Sequence, residues 1–299
     1  HGTHFGGASV NGNPRFRTAY EPLLPGCYHL PSPYSYRNPF HESDPVKLAQ
    51  MVAQAMEDEI IFQDPSTIAA FIMEPVQGAG GVIVPDASFM KLARGICDKH
   101  GILMISDEVI TGFGRTGDWS GARHWGVQPD MMTLAKGITS AYFPVGATLV
   151  SAKVAETFES DQSGEGSIWH GYTYSAHPVG MAAVNACVSE TLRLNLKSNA
   201  AARGNQLYEG LKALQADFDT IGDVRGGHGL MAAIELVSDR DTKTPLEMGA
   251  IKRAHKATYE AGTMVRIGGN NLLMSPPLIL TEVDVDKILA DLRSGLSAL

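Results

Sequence analysis

Three ionisable side chains of this sequence follow apolar runs that have the length of buried strands. Glu74, Asp107 and Lys136 each lie within two residues of the end of such a run. In an open parallel sheet, ligands bind beyond the carboxyl ends of the strands. The sequence therefore predicts that these two carboxylates and this amine converge on one crevice.

A lysine and an aspartate in such a crevice suit a particular chemistry. A lysine amine attacks a carbonyl and forms an imine once burial lowers its pKa enough to expose the free amine. Each unit of that depression costs about 1.4 kcal/mol, so the site is expected to be dry. A buried carboxylate keeps the pyridine nitrogen of pyridoxal 5′-phosphate (PLP) protonated. Lys136 and Asp107 fit these two roles, and the β-branched Val109 is predicted to face the flat ring.

Four ordered segments carry a family resemblance. Residues 72–78 (IMEPVQG), 105–117 (ISDEVITGFGRTG), 133–138 (TLAKGI) and 170–178 (HGYTYSAHP) resemble the class III aminotransferases of PLP fold type I. The similarity extends over essentially the whole chain. It implies a PLP-dependent aminotransferase.

The resemblance also implies roles for individual residues. Lys136 matches the lysine that holds PLP as a Schiff base and moves the substrate proton, and Asp107 matches the partner of the pyridine nitrogen. Val109 matches the residue packed on the ring. Glu74 and Gln77 match the acid and the amide beside the ring hydroxyl and the substrate.

Two further positions matter for assembly and specificity. Thr173 matches a hydroxyl that reaches the cofactor phosphate of a neighbouring subunit, which implies a homodimer or higher oligomer; without its flanking motif it would be an ordinary loop hydroxyl. Arg266 resembles the movable arginine of the pyruvate-using ω-aminotransferases, since a guanidinium clamps a carboxylate through two parallel hydrogen bonds. The alternative for Arg266 is a surface arginine beside a turn, and Arg225 is a second candidate for the clamp.

The expected substrates are an amine or ω-amino acid as donor and pyruvate or a related keto acid as acceptor. An aminomutase or a decarboxylating PLP enzyme of the same fold is an alternative, and so is a non-catalytic fragment. The family's chain is longer at its N-terminal end, where it brings a phosphate-binding loop and an aromatic residue before the His-Gly that is His1-Gly2 here. A missing upstream segment is therefore expected.

The elements that must position these residues indicate an α/β fold with a mainly parallel sheet. Apolar runs at 67–73, 102–105, 131–134 and 146–150 alternate with helical patterns, which predicts a three-layer αβα large domain. We place that domain at 1–195, with residues 1–45 as an irregular arm, and a smaller α+β domain at 196–299.

Several helix boundaries are signalled locally. Asp86 is a candidate N-cap for a helix that ends at Gly101. Thr281, with Asp284 three residues later, predicts a capping box for the last helix. Helices are also expected near 47–61, 178–195, 197–217 and 246–261, and short strands at 230–236 and 263–274.

Composition excludes several classes of partner. The net charge is −8 without a basic stripe, so nucleic acid and anionic membranes are not expected partners. The three cysteines lie far apart and form no C-x-x-C, which favours the cytoplasm. His1 and His4 lack a third ligand, so no metal is expected. Residues 112–117 satisfy G-x-G-x-x-G, but without the strand and helix of a dinucleotide site.

Overall fold

The computed structural model describes residues 1–161 and 163–299. The chain divides into two compact units. Unit 1 comprises residues 1–75, 85–112 and 121–190, and unit 2 comprises residues 76–84, 113–120 and 191–299. The domain division at 195/196 stays a prediction. It differs from the two units because it assigns residues 76–84 and 113–120, which belong to unit 2, to the large domain.

Unit 1 contains a four-stranded sheet in the order β1-β2-β3-β4. Its strands are β1 (Ala70–Met73), β2 (Leu103–Asp107), β3 (Met131–Leu134) and β4 (Ala147–Val150). The first three are parallel, and β4 is antiparallel to β3. The helices that belong to or begin in this unit are α1 (Phe5–Val10), α2 (Pro45–Phe62), α3 (Phe89–His100), α4 (Gly121–His124), α5 (Ala152–Glu159) and α6 (Pro178–Arg193).

The burial of this sheet differs from strand to strand. In β2 alternate residues are buried, whereas β1 and β3 are mostly half-buried and β4 is mostly exposed. The sequence predicts strands that are covered on both faces, because all four runs are apolar. Strand β4 is the last in the sheet order and pairs antiparallel, so it forms an edge of the described sheet.

Helices α2 and α3 pack together on unit 1 through one apolar cluster. In α2 the Asp44 side chain accepts hydrogen bonds from the N–H groups of Val46 and Lys47, and Pro45 occupies the first turn. The buried residues of the cluster are Leu48, Ala49, Val52, Ala53 and Phe89. Both helices therefore form for the reason that the sequence indicates, an apolar stripe at helical spacing.

The start of α3 corrects one prediction. The N-cap is Ser88 and not Asp86. The Asp86 carboxylate instead accepts hydrogen bonds from the N–H and the hydroxyl of Ser88, so it forms a turn just before the helix. The predicted end is confirmed, since Gly101 adopts the left-handed conformation with φ 69°.

The first 45 residues also contain more structure than the predicted arm. Besides α1 they include 3-10 turns at Pro14–Phe16 and Thr18–Tyr20. Helix α1 has the sequence FGGASV, and its two glycines conceal the helical pattern. The His4 ring accepts a hydrogen bond from Gly7 N–H and so caps this helix.

Unit 2 is an α+β structure around an antiparallel sheet in the order β5-β6-β9-β8, with β7 paired to β6. The strands are β5 (Ile221–Arg225), β6 (Ala232–Asp239), β7 (Thr244–Pro245), β8 (Arg266–Gly268) and β9 (Asn271–Met274); the helices are α7 (Leu196–Asp217), α8 (Met248–Ala261) and α9 (Glu282–Leu296). The core includes Leu207, Leu211, Ile234, Ile251 and Leu292. The capping box of Thr281 and Asp284 is confirmed.

Strand β5 is absent from the sequence-based expectation. Its sequence, IGDVR, contains a glycine and two charged residues, which weakens the apolar signal of a strand. Within the described residues, no helix is both long enough and apolar enough to span a lipid bilayer.

Candidate active site

The carboxyl ends of β1, β2 and β3 lie in register at one edge of the unit 1 sheet. Met73 is paired with Ser106, and Asp107 with Thr133. Neighbouring strands of a sheet are about 4.8 Å apart. Asp107 ends β2, whereas Glu74 and Lys136 come after β1 and β3, so the three residues are at the same edge.

Asp107 is the best-defined side chain at this edge. It is 6% exposed, and its Oδ1 accepts a hydrogen bond from Val109 N–H at 3.1 Å. Its Oδ2 lies 2.6 Å from the α-nitrogen of His1 and 2.8 Å from His1 Nδ1. The second oxygen is thus close to the His1 imidazole ring. Val109, two residues further, is buried as well.

Lys136 begins the 3-10 turn Lys136–Ile138 directly after β3. Its φ of 44° lies in the left-handed region, which is uncommon for a residue with a side chain and is often found at functional sites. Lys136 is exposed, whereas the sequence predicts a dry pocket around it.

The other predicted site residues lie in different parts of the chain. Glu74 is half-buried in unit 1, directly after β1. Gln77 belongs to unit 2 and pairs with Ile83 through an isolated antiparallel bridge. Thr173 is exposed in the connection between α5 and α6, and Arg266 is exposed at the start of β8.

Arg225, the second candidate for the substrate clamp, is a buried side chain with its donors in use. Its Nη1 contacts Asp223 Oδ2 at 2.6 Å and Glu235 Oε2 at 3.3 Å. Its Nε donates to the Gly81 carbonyl at 2.8 Å, and Nη2 donates to the Asn271 amide oxygen. A guanidinium engaged in this way is part of the unit 2 core.

Two residues at the strand edge have contacts that sequence reasoning missed. His1 contacts Asp107, although the two are 106 positions apart. Glu108 is fully buried and accepts hydrogen bonds from the hydroxyls of Ser106 and Thr111 and from two backbone N–H groups. Residues 106–108 alone carry no signal for these distant donors. In the described part of the chain, no group of three or more His, Cys, Asp or Glu side chains is arranged to hold a metal.

Comparison with known families places the whole chain. Residues 1–296 match the model of the class-III aminotransferase family. Taurine–pyruvate aminotransferase of Bilophila wadsworthia is 38% identical over 97% of this chain, and a probable gamma-aminobutyrate transaminase of Oryza sativa is 35% identical over 100% of it. The chain spans 65% and 62% of the lengths of these two relatives.

Solved structures give the same result. An amine transaminase from an uncultivated Pseudomonas species, solved with PLP bound, has a TM-score of 0.96 and 44% sequence identity. That comparison covers 99% of this chain and 67% of the other. An (S)-enantioselective ω-transaminase from Thermomicrobium roseum has a TM-score of 0.93 and 39% identity. The predicted α/β class, PLP fold type I, is confirmed.

Proposed function

We propose that this chain, which belongs to the class-III aminotransferase family, carries the site of a PLP-dependent transfer of an amino group from an amine or ω-amino acid to pyruvate or a related keto acid. The main structural support is the set of aligned strand ends that place Glu74, Asp107 and Lys136 at one edge. The kinship with taurine–pyruvate aminotransferase and with ω-transaminases supports pyruvate as acceptor.

PLP is the cofactor of this family, and the donor set at the strand edge fits it. When bound, PLP acts as an electron sink for the carbon that bears the amino group. Asp107 offers a buried oxygen that lies 2.8 Å from a ring nitrogen, His1 Nδ1, and a protonated pyridine nitrogen requires an acceptor oxygen of this kind. In our proposal Val109 packs on the ring, Glu74 and Gln77 lie beside its hydroxyl and the substrate, and Lys136 holds the cofactor.

Lys136 would also move the substrate proton. General base catalysis needs an amine whose pKa lies near the working pH, and desolvation by a bound cofactor and substrate would favour the neutral amine.

Substrate selection and assembly involve two exposed residues. We assign Arg266 to the carboxylate of the keto acid, because a guanidinium donates two parallel hydrogen bonds to a carboxylate. We assign Thr173 to the cofactor phosphate of a second subunit, in a homodimer or higher oligomer. Trp169, Tyr172 and Tyr174 are 96%, 74% and 79% exposed around it, and exposed clusters of large apolar side chains mark interaction surfaces.

The proposed location is the cytoplasm. The chain has three cysteines without a C-x-x-C spacing, which suits a reducing compartment.

The decisive experiment replaces the cofactor lysine. The protein incubated with PLP is expected to show a visible absorption band and to transfer amino groups from an amine to pyruvate. Lys136→Ala is expected to lose the band and at least roughly a thousandfold of the activity, because it lacks both the amine that bonds to the cofactor and the proton carrier. Lys153→Ala, an exposed lysine of the same unit, serves as the matched control. Equal activity of the two variants would refute the role of Lys136.

A further inference from the structure

Glu108 is a buried carboxyl side chain whose hydrogen-bond partners among the described residues are all neutral. It is 0% exposed. Its Oε1 accepts from the Ser106 hydroxyl at 2.8 Å and from Ala122 N–H at 2.7 Å. Its Oε2 accepts from the Thr111 hydroxyl and from Gly121 N–H, the latter at 2.7 Å. Each carboxylate oxygen therefore has one hydroxyl donor and one backbone donor.

These donors lie at both ends of a chain excursion. Unit 1 ends at Gly112 and resumes at Gly121. Thr111 comes just before residues 113–120, which belong to unit 2, and Gly121 and Ala122 come just after them. Gly112 N–H also donates to the Glu108 backbone carbonyl at 2.9 Å. Glu108 thus fastens together the two points of unit 1 between which residues 113–120 are inserted.

The same contacts extend to the end of β1. A Cβ atom on Gly121 would lie 2.5 Å from Pro75 Cβ, so this glycine packs directly against Pro75. Trp125, which follows α4, donates from Nε1 to the Pro75 carbonyl at 3.0 Å. Pro75 is bonded to Glu74, so the segment that Glu108 holds also fixes the exit of β1.

We propose that Glu108 is a positioning residue for the cofactor site, acting through the backbone of its two chain neighbours and through Gly121. Asp107 and Val109 flank Glu108 directly, and Glu74 is reached through the contact of Gly121 with Pro75. Both oxygens of Glu108 are occupied by protein donors, so in this inference Glu108 does not itself touch the cofactor. This inference rests on the proposed function, since it assigns Glu108 to the support of that PLP site.

The geometry makes Glu108→Gln a sharp test. A glutamine has the same shape, but one of its two oxygens is replaced by an NH2 group, which donates and does not accept. A hydroxyl can rotate to accept from that NH2 group, but a backbone N–H cannot. Since each oxygen of Glu108 has a backbone donor, either orientation of the amide must break one of the two backbone hydrogen bonds.

The expected result is weaker binding of PLP. Titration of the cofactor-free protein with PLP, followed by visible absorbance, is expected to give a dissociation constant roughly tenfold higher for Glu108→Gln. Ser106→Ala and Thr111→Val each leave both backbone bonds intact and are expected to weaken binding only about two- to threefold. If Glu108→Gln does not fold, the double variant of Ser106 and Thr111 carries the test.

A control separates positioning from general stability. Leu48→Ala truncates a buried residue of the α2–α3 cluster and is expected to lower the unfolding midpoint at least as much as Glu108→Gln does, with unchanged PLP affinity of the folded protein. Wild-type affinity in Glu108→Gln, or in the double variant where that is the one measured, would overturn the inference, and so would an equal loss of affinity in Leu48→Ala. A wild-type protein that binds no PLP would instead refute the proposed function.

Discussion

Glu108 in unit 1 and Arg225 in unit 2 are both buried ions, but they are stabilised by opposite means. Glu108 accepts only from neutral hydroxyl and backbone donors. Arg225 contacts two carboxylates, one of which, Glu235, is 1% exposed. The partners of Glu108 are all dipoles, whereas those of Arg225 include two carboxyl groups besides the Gly81 carbonyl and the Asn271 amide.

The difference follows from the elements that carry the two ions. Glu108 lies where a strand ends and α4 begins, so unpaired backbone N–H groups are available to it. Arg225 ends β5, an edge strand of the antiparallel sheet, where it neighbours Asp223 two residues before it and Glu235 on β6. A backbone that is already paired in a sheet has few donors left for a buried carboxylate, so Glu235 needs a cation.

The largest expected effect tests the charge-compensated centre. Arg225→Met removes the guanidinium from the buried Glu235 carboxyl, and removing one partner of a buried ion pair costs roughly 3–5 kcal/mol. Chemical denaturation should show this as a lower free energy of unfolding. Combining Arg225→Met with Glu235→Gln removes both charges of the pair and should recover a large part of the loss. A loss below about 1 kcal/mol in the single variant would show that the pair does not stabilise unit 2.

Some features of the fold and of the site could be predicted from the sequence. The end of α3 at Gly101 and the capping box at Thr281 are set by neighbours within one turn, and both were predicted. The alignment of Glu74, Asp107 and Lys136 was predicted from a general property of parallel sheets. These inferences need only local patterns and one rule of topology.

Some partners of Glu108 and Arg225 could not be predicted, because they are distant in the chain. Glu108 and Gly121 are 13 positions apart, and Arg225 and Asn271 are 46 positions apart. No spacing rule connects such pairs.

Arg115 tests whether the sensitivity of Arg225 comes from its position in unit 2 or from its charged partners. We expect an intermediate loss of stability when Arg115 is replaced. It belongs to unit 2, like Arg225, but its Nη1 donates to backbone carbonyls, Leu230 O at 2.7 Å and Pro276 O at 2.6 Å. Burial lowers the pKa of Arg115 to about 10, so the side chain remains charged at neutral pH. Arg115→Met should lower the free energy of unfolding by about 1–3 kcal/mol, since it leaves two carbonyls without their donor.

Two variants control the Arg115 measurement. Arg115→Lys keeps a cation that can donate to the same carbonyls and should lose less. Arg253→Met removes an exposed arginine of α8 and should change stability by no more than about 0.5 kcal/mol. If Arg115→Met destabilised unit 2 as strongly as Arg225→Met, compensation by charge would not explain the sensitivity of Arg225.

The smallest effect is expected at Asp130 in unit 1, which combines both means of compensation. Its Oδ2 accepts from Arg94 Nη1 at 2.6 Å and from Met104 N–H at 2.8 Å. Burial alone would raise the pKa of Asp130, but the Met104 N–H and the Arg94 guanidinium outweigh it and hold the pKa below its usual value. A depressed carboxyl pKa stabilises the fold above the pKa of the unfolded chain, about 3.9, and this stabilisation is lost as the pH falls through the folded pKa.

The unfolding midpoint of Asp130→Asn, measured from pH 5 to pH 2, should therefore fall less steeply than that of the wild type, by an equivalent of a few tenths to about 1 kcal/mol. Asp241→Asn, an exposed carboxylate, should follow the wild-type curve, and identical slopes for all three proteins would show that Asp130 adds nothing to the acid response.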